Sequence, residues 1–253
     1  MNSALRDDFR VRADEVVEYF KWLPSVCLPD AGTSVPPSRA NFQAGLKATA
    51  FLVLYNLVEG TMDRCVKEVS DHLVAQRVRM DQVILPLEED FLKRILNSDD
   101  PFLKAKPDEK PPQRSNVERL RDLVHHAISG GPVNVDLTAS GNYGVGNVRG
   151  TLRRMGIEDL SSSMLRLSRG GADLDVIVRR RNRLAHGAES FVECGREYTV
   201  PDLQEMCRRS TFFLAAVVKR IEQFIAKQEY LRPLIAVTAP VSTTTTSPAT
   251  TSV

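Results

Sequence analysis

Apolar residues recur at helical spacing along most of the chain. Phe9, Ala13, Val16, Val17 and Phe20 share one face of residues 5–22, with charges between them. This predicts an amphipathic helix that stops near Pro24. Residues 26–37 are rich in Pro, Gly and Ser and read as a loop. Ser38 then suits the N-cap of a helix predicted over 39–78. Its middle, AFLVLYNLVEG, is apolar on two faces: Leu46, Val53 and Leu57 on one, Phe51, Leu54, Val58 and Met62 on the other. A helix apolar on two faces is expected at the centre of a bundle.

A third helical pattern covers 81–96, with Pro86 inside it or ending its first turn. Residues 98–115 hold four prolines and eight charges, too little apolar surface to order themselves, and predict an exposed excursion. A short helix is expected over 116–128, then a turn or one short strand at GGPVNVDL. The Gly-rich stretch 141–156 runs into a basic helical segment, VRGTLRRM. Residues 173–186 read as a helix and 191–199 as a short extended stretch. Pro201 fits the first turn of a last helix over 202–231, whose apolar face is Leu203, Met206, Phe213, Ala216, Val217, Ile221 and Phe224. The Thr/Ser/Pro-rich residues 236–253 predict a disordered tail. There is no internal repeat, and strands are too few for a parallel sheet. The expected fold is all-α: an up-and-down helical bundle over 1–235 around a long buried helix, followed by the tail.

Composition narrows the class. The 253 residues are 42% hydrophobic and 26% charged, which excludes wholesale disorder, and 6% aromatic, which favours helices packed through Leu, Val and Ala. A net charge of +2 excludes a generally polybasic protein. No apolar run approaches the roughly 20 residues of a membrane span. The N-terminal MNSALRDDFR has no apolar core of a secretory signal. Cys27, Cys65, Cys194 and Cys207 are scattered, without metal-type spacing, and read as reduced thiols of a cytoplasmic protein.

The charge is uneven. From Arg149 to His186 there are nine arginines (149, 153, 154, 166, 169, 179, 180, 181 and 183), no lysine and four acidic residues, a net +5 that leaves the remainder at −3. Arginine's planar fork matches phosphate geometry, so such a window suggests anion contacts; a solvated Arg-rich face is the plainer reading. Within it lies VRRRNRLAHG. Asn182 and His186 are four apart, hence one turn apart on the same side of a helix, with Arg181 adjacent. Gly187 is a natural C-terminal stop that puts His186 at the helix end. A helix C-terminus favours imidazolium and arginines oppose it, a setting suited to both accepting and donating a proton. The alternative is a histidine that only caps the helix end.

Arg181-Asn182-x-x-x-His186 is similar to the Arg-Asn-x-x-x-His form of the motif that defines the HEPN superfamily of ribonucleases and nucleotide-binding domains. FLVLYNLVEGTM (51–62), SGN (140–142) and RNRLAHGAESFVECGREYTVPDL (181–203) resemble, in that order, a bacterial MAE-type branch of it related to RiboL-PSP members. That branch is often encoded beside restriction or toxin–antitoxin systems. The resemblance covers most of 5–230 and departs mainly at 98–115. It implies a homodimer with the two motifs facing each other, and metal-independent RNA cleavage without a cofactor. In that chemistry the RNA 2′-hydroxyl attacks, His186 moves the proton, Arg181 holds the scissile phosphate and Asn182 orients His186 or the ribose. Arg179, Arg180, Arg183, Arg149 and Arg153 are the expected RNA-binding residues, and an antitoxin or restriction subunit the expected protein partner.

Glu59, a carboxylate in the apolar helix, is costly unless paired. It either pairs with Arg181 or a nearby arginine, with Asn56 and Tyr55 as helpers, or faces water on a narrow polar strip. His125 and His126, adjacent on a helix, point about 100° apart and do not suit one metal; His72 has no ligand partners at metal spacing. The glycines of GNYGVGNVRG lack the Lys-Ser/Thr and the preceding strand of a phosphate loop, though their amides and Arg149 are placed to touch an RNA backbone. Two functions follow as expectations: an endoribonuclease in a toxin–antitoxin, restriction or other defence setting, or a non-catalytic RNA- or nucleotide-binding dimer module.

Overall fold

The computed structural model describes residues 4–27, 36–97, 121, 142–158 and 160–233. The excursion 98–115, the helix expected over 116–128 (except Arg121), GGPVNVDL, His125, His126 and the tail 236–253 lie outside the described residues. Among those described there are eight α-helices and no strand: α1 (Ala4–Cys27), α2 (Pro37–Ala75), α3 (Leu85–Asn97), α4 (Val145–Arg154), α5 (Ser162–Leu167), α6 (Asp173–Ala185), α7 (Phe191–Arg196) and α8 (Val200–Ala226). Among the described residues the β-type pairing is one isolated antiparallel bridge, Val83 to Leu231. The chain is an all-α bundle, as the periodicity predicts. Among the described residues no helix is long and apolar enough to cross a membrane.

The frame is α1, α2 and α8. Phe51, Leu54, Tyr55, Met62 and Cys65 of α2 are fully buried, each large apolar side chain contributing about 1.5–3 kcal/mol. The end of α1 meets the start of α2, where Gln43 Nε2 donates to the Val26 carbonyl at 2.8 Å and Tyr19 to the Leu46 carbonyl at 2.6 Å. It also meets the start of α8, where Gln204 Nε2 donates to the Phe20 carbonyl at 3.0 Å. Hence α1 runs antiparallel to both. The second of these contacts explains a departure from expectation: α1 passes through Pro24 instead of stopping there. Proline removes the N–H that would bond the carbonyl four residues back, and that carbonyl, Phe20, takes the Gln204 amide instead.

Other boundaries move for local reasons. Helix α2 opens on Pro37, with Ser38 inside its first turn rather than capping it. A 3₁₀ turn, Met80–Gln82, precedes α3, so Pro86 falls in a first turn, where a missing N–H costs nothing. The stretch 191–199, expected to be extended, contains α7. Its cap is reciprocal: Glu193 N–H donates to Ser190 Oγ and Ser190 N–H to Glu193 Oε2. Thr199 and Asp202 form the same box at the start of α8, which ends at Ala226, five residues short of the predicted end.

Two contacts lock this half of the bundle. Gly195 of α7 lies so close to α2 that a Cβ there would stand 1.8 Å from the Ala44 carbonyl oxygen. Arg209 of α8 grips Asp173, at the start of α6, through both carboxylate oxygens (2.5 and 3.1 Å), with both side chains 11% exposed.

Candidate functional site

Helix α6 carries the motif and is fixed at both ends. Asp173 and Asp175 occupy its first turn, where the helix dipole favours acids. Asp175 Oδ1 also accepts the Val145 amide at 2.9 Å, tying the start of α4 to α6. Leu174, Ile177 and Leu184 turn into the core. The C-terminus closes with Gly187 at φ 67°, its amide directed at the Leu184 carbonyl (3.3 Å) and that of Ala188 at the Arg183 carbonyl (2.9 Å). These two bonds are the Schellman pattern, which ends the helix immediately after the motif. His186 is therefore the C-cap residue, exposed, and its ring has no hydrogen-bond partner among the described residues.

Arg181 is held from two sides. Its guanidinium carbon stands 4.2 Å from the centre of the Tyr55 ring, and Nη1 donates to Asn182 Oδ1 at 3.0 Å. Asn182 Nδ2 donates in turn to Asn142 Oδ1 at 3.0 Å, so Asn182, expected to orient His186 or the ribose, bonds Arg181 and joins α6 to the segment before α4. Under the cluster, the Tyr55 hydroxyl donates to Glu59 Oε1 at 3.2 Å, and the buried Tyr143 hydroxyl to Asp63 Oδ1 at 2.6 Å. Burial, then the Glu59 charge, raises the pKa of Tyr55 above its ordinary value, keeping it a protonated donor.

Among the described residues Glu59 makes no ion pair. It reaches Arg181 only through Tyr55, as a positioning link and not as the direct partner expected. Asn56, the other supporting candidate, points elsewhere: it lines a groove between α1 and α2 with Arg12, Glu15 and Tyr19. Tyr143, Asn142 and Asp63 complete the cluster. Of the three, only Asn142 carries a sequence signal, through SGN; Tyr143 and Asp63 join the cluster by packing.

The five expected RNA-binding arginines divide by their partners. Arg180, with its side chain 16% exposed, bonds Glu189 Oε1 (2.5 Å), Glu197 and the Tyr198 hydroxyl, and lies 5.3 Å from the Tyr198 ring centre. Arg183 bonds the other oxygen of the same buried Glu189 at 3.1 Å. These two charges are spent tying the motif helix to the α7 segment. Arg179 is exposed and makes no ion pair among the described residues. Arg149 and Arg153 are likewise exposed, at the other end of α6, where Arg149 donates to the Gly170 carbonyl. A helix C-terminus carries about half a negative charge, which repels phosphate; the full charges of Arg181 and Arg179 outweigh it. Among the described residues no group of three or more His, Cys, Asp or Glu side chains is arranged to hold a metal ion, and the four cysteines are free thiols.

A helical bundle with an Arg-Asn-x-x-x-His string closing one of its helices is the architecture of the HEPN domains, proteins that act as nucleases or RNA-binding modules. The chain matches the family HEPN_MAE_28990/-like HEPN over residues 1–230 and belongs to it. HEPN domains commonly dimerise and bind RNA. No curated protein and no solved structure matches the chain.

Proposed function

We propose that the protein is a metal-independent endoribonuclease whose reaction is carried by Arg181 and His186. The observation behind this reading is a guanidinium fixed by Tyr55 and Asn182, five residues before an exposed imidazole that has no hydrogen-bond partner among the described residues. RNA supplies its own nucleophile. The 2′-oxygen forms a bond to phosphorus, the bond to the 5′-oxygen breaks, and one proton leaves the 2′-hydroxyl while another reaches the departing oxygen. His186 moves a proton and Arg181 stabilises the extra negative charge on the phosphoryl oxygens. The products are a 2′,3′-cyclic phosphate and a 5′-hydroxyl. The reading includes a homodimer that brings two motifs together and a role in a toxin–antitoxin, restriction-linked or other defence setting. Purified chain is expected to cut RNA in excess EDTA; no cleavage under those conditions would remove the proposal.

Tyr55 sets the position of Arg181. Tyr55→Leu keeps an apolar buried side chain but removes the ring, and cleavage is expected to fall about tenfold, in line with roughly 1–2 kcal/mol of cation–π support. Tyr55→Phe keeps the ring and loses only the bond to Glu59, so its loss in a single-turnover assay is expected to be smaller.

A second reading, an RNA-binding module that does not cut, is favoured by one observation: no described side chain orients the His186 ring. On that reading Arg181→Ala weakens RNA binding in a salt-dependent way and no variant changes cleavage, because there is none.

A further inference from the structure

The nine arginines of the 149–186 window fall into two sets once their partners are known. Arg154 pairs with Asp90, Arg180 with Glu189 and Glu197, and Arg183 with Glu189. Arg179 and Arg181 belong to the motif segment; the remaining four, Arg149, Arg153, Arg166 and Arg169, are exposed and, like those two, make no ion pair among the described residues. These four do not surround the motif. Arg149 and Arg153 line a groove of about 320 Å³ between α4 and α5, floored by Leu152, Ile157, Leu160 and Leu165, with Glu158 as the one acidic residue among the described residues that line it. Arg149 Nη2 donates to the Gly170 carbonyl at 2.9 Å, which brings it beside Arg169 in the turn that leads into α6. Eight residues of α6 separate that turn from Arg181, about 12 Å along the helix, and thirteen separate it from His186, about 20 Å.

We infer that this groove is a second binding subsite, for the phosphodiester backbone of the RNA strand that continues away from the cut. The inference rests on the RNA reading above but not on cleavage. Guanidinium groups that no carboxylate neutralises are the ones free to release counterions from phosphate, and an apolar floor between them suits the sugar faces of a single strand. The gap between groove and motif is one that a few nucleotides span, so the subsite engages longer RNAs and leaves very short ones untouched. Substrate length is then sensed at the far end of the motif helix.

The test measures binding of single-stranded RNAs of increasing length by fluorescence anisotropy, in the His186→Ala background, at several salt concentrations. Arg149→Ala/Arg153→Ala is expected to weaken a long RNA about tenfold or more and to flatten the log–log salt slope by about 1.4, since each single-strand phosphate contact carries about 0.7. Arg169→Gly is expected to weaken it as well without lowering Tm, because Arg169 has φ 49°, a conformation glycine adopts more readily. Arg10→Ala, the same charge removed from α1, serves as the control. Affinities and slopes equal to that control, at all lengths, would overturn the subsite. Failure of the nuclease proposal reads differently: wild type would not cut, while the arginine variants would still lose affinity.

Discussion

Replacing His186 with alanine is expected to lower RNA cleavage about 10²–10⁴-fold, the range general acid–base groups supply, while RNA affinity stays within about twofold. The asymmetry follows from where the side chain stands. His186 is the C-cap of α6, exposed and without a hydrogen-bond partner among the described residues, so it supports neither the fold nor the Arg181 cluster. Its N–H to the Asn182 carbonyl is a backbone bond that alanine keeps. Tm is therefore expected to be unchanged, which separates chemistry from stability. Arg181→Ala differs: it loses the phosphate ligand and the Tyr55 contact together, so affinity and cleavage should fall in parallel. Equal cleavage by wild type and His186→Ala would show that whatever cuts the RNA does not use this imidazole.

Gly195→Ala is expected to destabilise the bundle by about 3 kcal/mol, at the upper end of overpacking costs. Helix propensity points the other way, since alanine is worth about 1 kcal/mol more than glycine inside a helix. Sterics decide. The new Cβ would sit 1.8 Å from the Ala44 carbonyl oxygen and 2.9 Å from its Cα, atoms of the α2 backbone that cannot rotate away. Helix α7 must lift, and with it Glu189 and Glu197, which hold Arg180 and Arg183. Thermal unfolding should show a Tm lowered by about 6–12 °C. Gly45→Ala provides the contrast: it lies in α2 with nothing within 4 Å of its Cβ position, so it is expected to be neutral or to raise Tm.

The helices were legible wherever apolar spacing carried the information. The two-faced stretch of α2 is the buried centre, and the apolar face of α8 packs as its period predicts. Pro24 departs from expectation because the rule for proline in a helix is local, whereas the Gln204 amide that satisfies the Phe20 carbonyl comes from a residue 184 positions further along the chain. Helix α7 does carry a local signal: Ser190-x-x-Glu193 is a capping box, which marks a helix start in a stretch otherwise expected to be extended. At the site, the motif itself was readable as sequence, and so was its exposed end, from Gly187. The arginine count overstated the free charge because the window stopped at His186, just before Glu189, Glu193 and Glu197. Two of these neutralise Arg180 and Arg183. Nor could spacing show that Tyr55 rather than Glu59 would meet Arg181, since that depends on how α2 and α6 rotate against each other.

The most direct measurement uses an RNA oligonucleotide cut in EDTA, compared with the same oligonucleotide carrying a single 2′-deoxy sugar at the cut position. If Arg181 and His186 act together on one phosphodiester, the all-ribose strand yields a 2′,3′-cyclic phosphate and a 5′-hydroxyl, and the deoxy substitution abolishes cutting there. Cleavage that survives the missing hydroxyl, or that leaves a 3′-hydroxyl and a 5′-phosphate, would contradict the account.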